Sequence, residues 1–234
     1  MPTLRDLLAS GRPLTVGALT DPGVLGEQFT AADCDLIELR LDALGTGDAV
    51  RSFAERHFGT LPLLMTARSP AEGGLNEWEA STRAEALATF LPLAGAIDIE
   101  LASLRELRPV WEEAGAAGVV RVVSGHNFQG LPEDTEIMRT LDAMARTDAD
   151  IAKVAFALGD EDDLFRFATV VRSWGTLPLA YMGMGDLGPA SRVLAVLGGS
   201  VFNYGFLGGE ATAPGQWPAR LLKEVIDCSP TGQG

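Results

Sequence analysis

The chain has 234 residues, 47% of them hydrophobic, with 18 lysines and arginines against 32 aspartates and glutamates, so its formal net charge is −14. That length suffices for one large core. The negative field repels nucleic acid and anionic membranes, so neither is an expected partner, and an anionic ligand would need local arginines to hold it. Two cysteines, Cys34 and Cys228, lie far apart and outside any CxxC pattern, which points to a reducing, cytoplasmic location. The opening MPTLRDLLASGRPL is charged early, unlike a signal peptide. No run approaches the roughly 20 apolar residues that cross a bilayer.

Strand-like runs alternate with helical patterns along the chain. LTVGAL (14–19) comes first, followed by a helix-like segment near Pro22 to Ala32. DLIELRLD (35–42), LPLLMTAR (61–68), AIDIEL (96–101) and VVRVVSGHNF (119–128) follow. DIAKVAF (150–156), LPLAYMG (177–183) and VFNYGFL (201–207) complete the set. Between them lie helical patterns such as NEWEASTRAEALATFL, SLRELRPVWEEAG and DTEIMRTLDAMAR, and WPARLLKEVI comes last. Helical crossovers demand a parallel sheet, and eight consecutive units favour closure into a (β/α)₈ barrel over an open, doubly wound sheet. No Pro-, Gly- or Ser-rich linker divides the chain, so residues 1–234 read as one domain, with a frayed tail from about 228.

Alternation along each strand sorts side chains into two sets. Ile37, Leu39 and Leu41 would meet the helices, which turns Glu38, Arg40 and Asp42 toward the barrel interior. The same parity turns Asp98 and Glu100 inward, groups Arg68 with Leu64 and Thr66, and groups His126 with Ser124 and Val122. Lys153 shares its side with Ile151 and Ala155. Apolar layers normally fill such an interior. Charges recurring on four or five strands therefore point to a site, although an ion-pair network that merely fills space is the competing reading.

Lys153 is the sharpest of these residues. The chain has two lysines, Lys153 and Lys223, against sixteen arginines, so composition alone would put arginine in an apolar strand. Unlike arginine, a desolvated lysine can lose its proton and attack a ketone to form an imine. Apolar neighbours would favour that neutral form. His126 stands at the end of the preceding strand; consecutive barrel strands are neighbours, so the two side chains can converge, and a histidine that would elsewhere read as structural becomes a candidate acid and base. His57, in AERHFGT at a helix end, reads as a capping or surface residue. With the two histidines remote from one another, no metal site is expected. In YMGMGDLGPASR, Gly183, Gly185 and Gly188 match GxGxxG, with Glu210 near the distance of a ribose-binding acid. A dinucleotide site wants the motif at the first strand of a βαβ pair with an acid about 20 residues on, and Glu210 follows too many glycines to end a strand cleanly; a turn leading into a helix with Pro189 and Arg192 suits an anion such as a carboxylate better.

With these elements together, the chain resembles type I 3-dehydroquinate dehydratases. The matching segments are IELRLD, TARSPAEGG, DIEL, SGHNF, ADIAKVA, MGMGDLGPASR and TAPGQW, in that order from residue 14 to 217. The resemblance implies a (β/α)₈ (TIM) barrel that dehydrates 3-dehydroquinate to 3-dehydroshikimate in the shikimate pathway, with no cofactor and no metal. It implies that Lys153 forms an imine with the substrate ketone, that His126 is the general base and then acid, and that Glu72 orients it. It assigns Glu38, Arg40, Arg68, Arg192, Thr212 and Gln216 to substrate binding, with TAPGQ closing over the site, and it implies a homodimer. Ser124-Gly125-His126-Asn127-Phe128 stands where the family usually reads Ser-Tyr-His-Asp-Phe, Thr212 stands where serine is common, and VFNYGFLGGE is unusual for an eighth strand. A class I aldolase-type lyase, which shares barrel and lysine, and a non-catalytic barrel that binds a small acid are the rival functions.

Overall fold

A computed structural model describes residues 3–209, 211 and 215–229. Eight strands run β1 (Leu14–Leu19), β2 (Leu36–Arg40), β3 (Leu63–Thr66), β4 (Ala96–Glu100), β5 (Val120–Asn127), β6 (Ile151–Ala157), β7 (Leu179–Met184) and β8 (Phe202–Phe206). They form one parallel sheet in the order β7-β6-β5-β4-β3-β2-β1-β8. A backbone bond from Val201 N–H to the Leu179 carbonyl, 3.0 Å, joins the two ends of the sheet and closes the barrel. Around it lie α1 (Leu4–Ala9), α2 (Leu41–Leu44), α3 (Asp48–His57), α4 (Ala80–Phe90), α5 (Arg108–Ala116), α6 (Asp134–Ala145), α7 (Glu161–Arg172), α8 (Gly188–Leu197) and α9 (Ala219–Asp227).

Strand alternation divides the apolar side chains into two cores. Leu39, Val123, Val154 and Tyr181 point outward and pack beneath the helices with Phe53, Phe90, Trp111 and Phe167. Leu14, Leu36, Leu64, Val122, Ile151 and Phe202 point inward and fill the N-terminal half of the barrel. Leu4 of α1 joins this inner core, so the short first helix caps that end. The inward positions nearer the C-terminal strand ends carry charge instead of carbon. That is where barrel enzymes place their sites.

The first crossover departs from the expected pattern. The segment near Pro22 to Ala32 is not an α-helix: it makes one 3₁₀ turn, Pro22–Val24, and is otherwise irregular. Pro22, Gly23 and Gly26 explain this, since each glycine disfavours a helix interior by about 1 kcal/mol and proline suits only the first turn. His57 supplies the missing anchor. It is not on the surface: it is fully buried, its Nδ1 lies 3.0 Å from the carbonyl of Phe53 in its own helix, and its Nε2 accepts the Phe29 N–H at 3.1 Å. The helix end thus holds the irregular segment through a side chain, satisfying a buried backbone donor. The expected frayed tail falls mainly on residues 230–234, outside the described residues.

Candidate active site

β5 stays regular through His126, so the parity of the strand carries to its end. Across the β5–β6 ladder Ser124 sits beside Lys153 and His126 beside Ala155. Lys153 and His126 therefore project inward from neighbouring strands, about one step apart along the barrel axis. They open on a cavity of about 130 Å³ at the C-terminal ends of the strands. Glu38, Arg40, Arg68, Glu72, Arg192 and Gln216 line it as well. Thr212, and Glu210 of the nucleotide-type spacing, lie outside the described residues.

Carboxylates surround the amine where apolar neighbours were expected. Lys153 Nζ is 2.9 Å from Asp98 Oδ2 and 3.9 Å from Glu38 Oε1. Asp98 also meets Arg68 Nη2 at 2.9 Å and accepts the Ser124 hydroxyl at 2.5 Å. Arg68 reaches Glu100 at 2.9 Å, and Glu100 is closed on its other oxygen by Arg83, which enters from α4. Burial alone would raise the Asp98 carboxyl, but the Arg68 and Lys153 charges outweigh it and hold Asp98 far below the carboxylate range. Such a network satisfies the condition under which buried charge is tolerated, each group being paired and hydrogen-bonded. It also orders the lysine: two acidic groups fix a nitrogen that would otherwise sample several rotamers.

The histidine has a different surround. Glu72 Oε2 accepts the His126 backbone N–H at 3.0 Å and lies 2.9 Å from its Nδ1. Burial, then the positive charges of Arg68 and Lys153, holds His126 well below the ordinary histidine value. Burial and the Glu100 charge push Glu72 up to about 7. A neutral imidazole that donates Nδ1–H to Glu72 keeps a lone pair on Nε2, which has no hydrogen-bond partner among the described residues. That is the state required of a general base.

The loop after β3 brings Glu72 to this position. Asp42, buried at the start of α2, accepts the N–H groups of Arg68 and Leu75, both at 3.0 Å, and binds Arg40 through both carboxylate oxygens at 2.9 and 2.8 Å. Gly74 lies so close to the loop's start that a Cβ would stand 2.4 Å from the Arg68 carbonyl oxygen, so only glycine closes the turn. Asp42 was legible only as an inward-facing acid; its work is to shape this loop.

Arg192 is 2% exposed and donates to the carbonyls of Tyr204, Gly188 and Gly215 at 3.0, 2.9 and 3.2 Å. No carboxylate pairs with it among the described residues, and burial lowers its pKa to about 10. A buried guanidinium on the cavity wall with only neutral partners has spare attraction for an anion. Gly215, at φ 72°, sets its backbone against Gly185 and Gly188, which ties the end of the TAPGQ segment to the loop before α8. Met182, Met184, Tyr204 and Ala155 also line the cavity. Three of them, on β7 and β8, were missed in the sequence, although period-two alternation along those strands would have found them.

Comparison with known proteins decides the family. Residues 13–232 match the model of the type I 3-dehydroquinases. The chain belongs to the type I 3-dehydroquinase family. It is 36% identical over 204 residues to the 3-dehydroquinate dehydratase of Methanosarcina acetivorans, covering 82% of this chain and 84% of that protein. Its identity to the Klebsiella pneumoniae enzyme of the same name is 34% over 209 residues, covering 84% and 83%. The crystal structure of the 3-dehydroquinate dehydratase from Geobacillus kaustophilus superimposes with a TM-score of 0.83 at 26% identity, covering 95% of this chain and 93% of that one.

Proposed function

We infer that this chain dehydrates 3-dehydroquinate to 3-dehydroshikimate through a lysine imine, with Lys153, His126 and Glu72 as its working groups. The observation that carries the assignment of roles is the pairing of β5 with β6, which sets the Lys153 amine and the His126 ring on one cavity wall. The Lys153 ammonium gives a proton to neutral His126, the free amine attacks the ketone carbon, C3, and His126 returns the proton to the carbinolamine hydroxyl, which leaves as water to give an iminium. His126 Nε2 takes the proton from C2, and the electrons of that C–H bond flow into the iminium to give an enamine. The enamine electrons return, the C1–OH bond breaks, and His126 gives its proton to the departing hydroxyl. Water then hydrolyses the conjugated iminium and frees product and amine. Nitrogen is cationic as ammonium and again as iminium, so Asp98 and Glu38 favour both.

Arg192 holds the substrate carboxylate, supported by its burial without an acidic partner. Glu38, Arg40, Arg68, Gln216 and Thr212 complete the binding set, and Glu72 fixes the tautomer of His126. One catalytic domain is consistent with the single eight-stranded sheet. A homodimer goes with this reading through the family resemblance, and sedimentation at micromolar concentration tests it. A cytoplasmic location is supported by the two free cysteines. Among the described residues no helix is long and apolar enough to cross a membrane.

The test is reduction with borohydride in the presence of 3-dehydroquinate, followed by peptide mass mapping. A stable adduct on Lys153 is expected in the wild type and none in Lys153→Met. Turnover without any adduct on Lys153 overturns the imine assignment.

A further inference from the structure

Arg83 stands in the first turn of α4, 3% exposed and away from the cavity wall. A cation there meets the positive end of the helix dipole, and burial adds the cost of taking charge out of water. Its ion pair with Glu100 does not by itself account for it, because apolar side chains of the same volume stabilise a core as well or better. What the pair holds supplies the reason.

Arg83 gives each of its three nitrogens to a different acceptor. Nε donates to the Ala67 carbonyl at 2.7 Å, Nη1 to the Ser103 hydroxyl at 3.1 Å, and Nη2 to Glu100 Oε2. Ala67 is the residue that follows β3, so the first bond ties the far end of the β3–α4 loop to its start. Glu100 uses its other oxygen, Oε1, to accept the Ser69 N–H at 2.9 Å. The Ser69 carbonyl in turn accepts the N–H groups of Glu72 and Gly74, both at 2.9 Å. An unbroken run of hydrogen bonds thus leads from Arg83 through Glu100 and Ser69 to the backbone of Glu72, whose carboxylate lies 2.9 Å from His126 Nδ1. Asp42 grips the same loop at Arg68 and Leu75, on either side of the Pro70–Glu72 turn. Glu100 grips the turn itself.

We propose that Arg83 is a positioning residue for the general base: by clamping Ala67 and Glu100 it fixes the turn that delivers the Glu72 carboxylate to His126. The proposal rests on His126 as the base and Glu72 as the group that orients it. A base works only in a narrow range of geometry, so a small displacement of its orienting group costs rate. Substrate affinity is set elsewhere, by Arg192 on α8.

Arg83→Lys tests this. It keeps a positive charge beside Glu100, so no buried acid is stranded, but one ammonium cannot replace a planar guanidinium on three acceptors. With folded proteins at matched concentration, kcat on 3-dehydroquinate is expected to fall about tenfold to hundredfold, with KM within about twofold of wild type. Borohydride should still trap the adduct on Lys153. A double-mutant cycle with Glu72→Ala shows whether the loss runs through Glu72. In the Glu72→Ala background, Arg83→Lys should change kcat by less than about twofold, because the group it positions is gone. Unchanged kcat in Arg83→Lys overturns the proposal. So do equal losses in the two backgrounds, which would make Arg83 a general support of the fold, and so does a loss confined to KM. Wild-type kcat in Glu72→Ala would overturn the role of Glu72 and this proposal with it, whereas absence of any wild-type adduct would strike the imine assignment alone.

Discussion

His57 and His126 are the two histidines of the chain, and both are shielded from solvent, yet their ring nitrogens are partnered differently. His57 gives both ring nitrogens to backbone groups, Phe53 O and Phe29 N–H, and its ring packs 4.1 Å from that of Phe53, centroid to centroid. His126 gives one nitrogen to the Glu72 carboxylate, and the other has no partner among the described residues. Burial lowers the pKa of both, so the shift does not tell them apart. The nitrogen left over does. A histidine with two backbone partners has no lone pair to spend on a substrate, whereas one oriented by a carboxylate at the edge of a cavity does.

The largest expected effect separates the two directly. His126→Ala should lower kcat by about 10²–10⁴-fold, read from the enone absorbance of product, while folded His57→Ala at matched concentration stays close to wild type. An equal loss in both would break the comparison. Next in size is stability. His57→Ala deletes a buried ring and strands the Phe29 N–H, a cost of about 2–4 kcal/mol, or roughly 10 °C in melting temperature for a chain of this size. His126→Ala should cost clearly less by the same calorimetry.

A smaller effect concerns pH. With Glu72 raised to about 7, the His126–Glu72 dyad takes up a proton near neutrality as a pair, so kcat/KM should decline as pH falls through that value. Glu72→Gln leaves His126 to titrate alone, well below its ordinary value, and should move this acid limb to lower pH. A limb that stays in place would detach Glu72 from the base. The smallest effect is the pH dependence of stability at His57. Its folded-state pKa is lowered, so below about 6.5 the unfolded chain binds the extra proton. The stabilisation it gives is complete above that pH and is lost as pH falls through the folded value. The free-energy gap between wild type and His57→Phe should therefore narrow on acidification, as followed by urea unfolding between about pH 7 and 4.

The barrel and most of the cavity wall were legible because period-two alternation carries direction. It put Glu38, Asp98, Glu100 and Lys153 inside with no knowledge of their partners. What it could not carry was distance across the barrel. Asp98 was readable as inward-facing, but its contact with Lys153, 55 residues away, depends on register and curvature. The first crossover has the length of its helical neighbours, but Pro22, Gly23 and Gly26 keep it irregular. His57 was misplaced for a related reason: a position at a helix end says little about burial when the segment it packs against is irregular.

The line of charge from Arg83 in the helical layer through Glu100, Arg68 and Asp98 to Lys153 has a consequence for descent. Glu100, Arg68 and Asp98 each neutralise two neighbours, so replacing one of them alone leaves buried charge uncompensated, at about 3–5 kcal/mol. A stability margin of ordinary size, about 5–15 kcal/mol, absorbs few such steps. Neutral drift is therefore barred at these positions one at a time, and lineages can change them only as a block. A descendant that abandoned the chemistry would carry the imprint of its lysine in the arginines and acids around it long after the reason for them had gone.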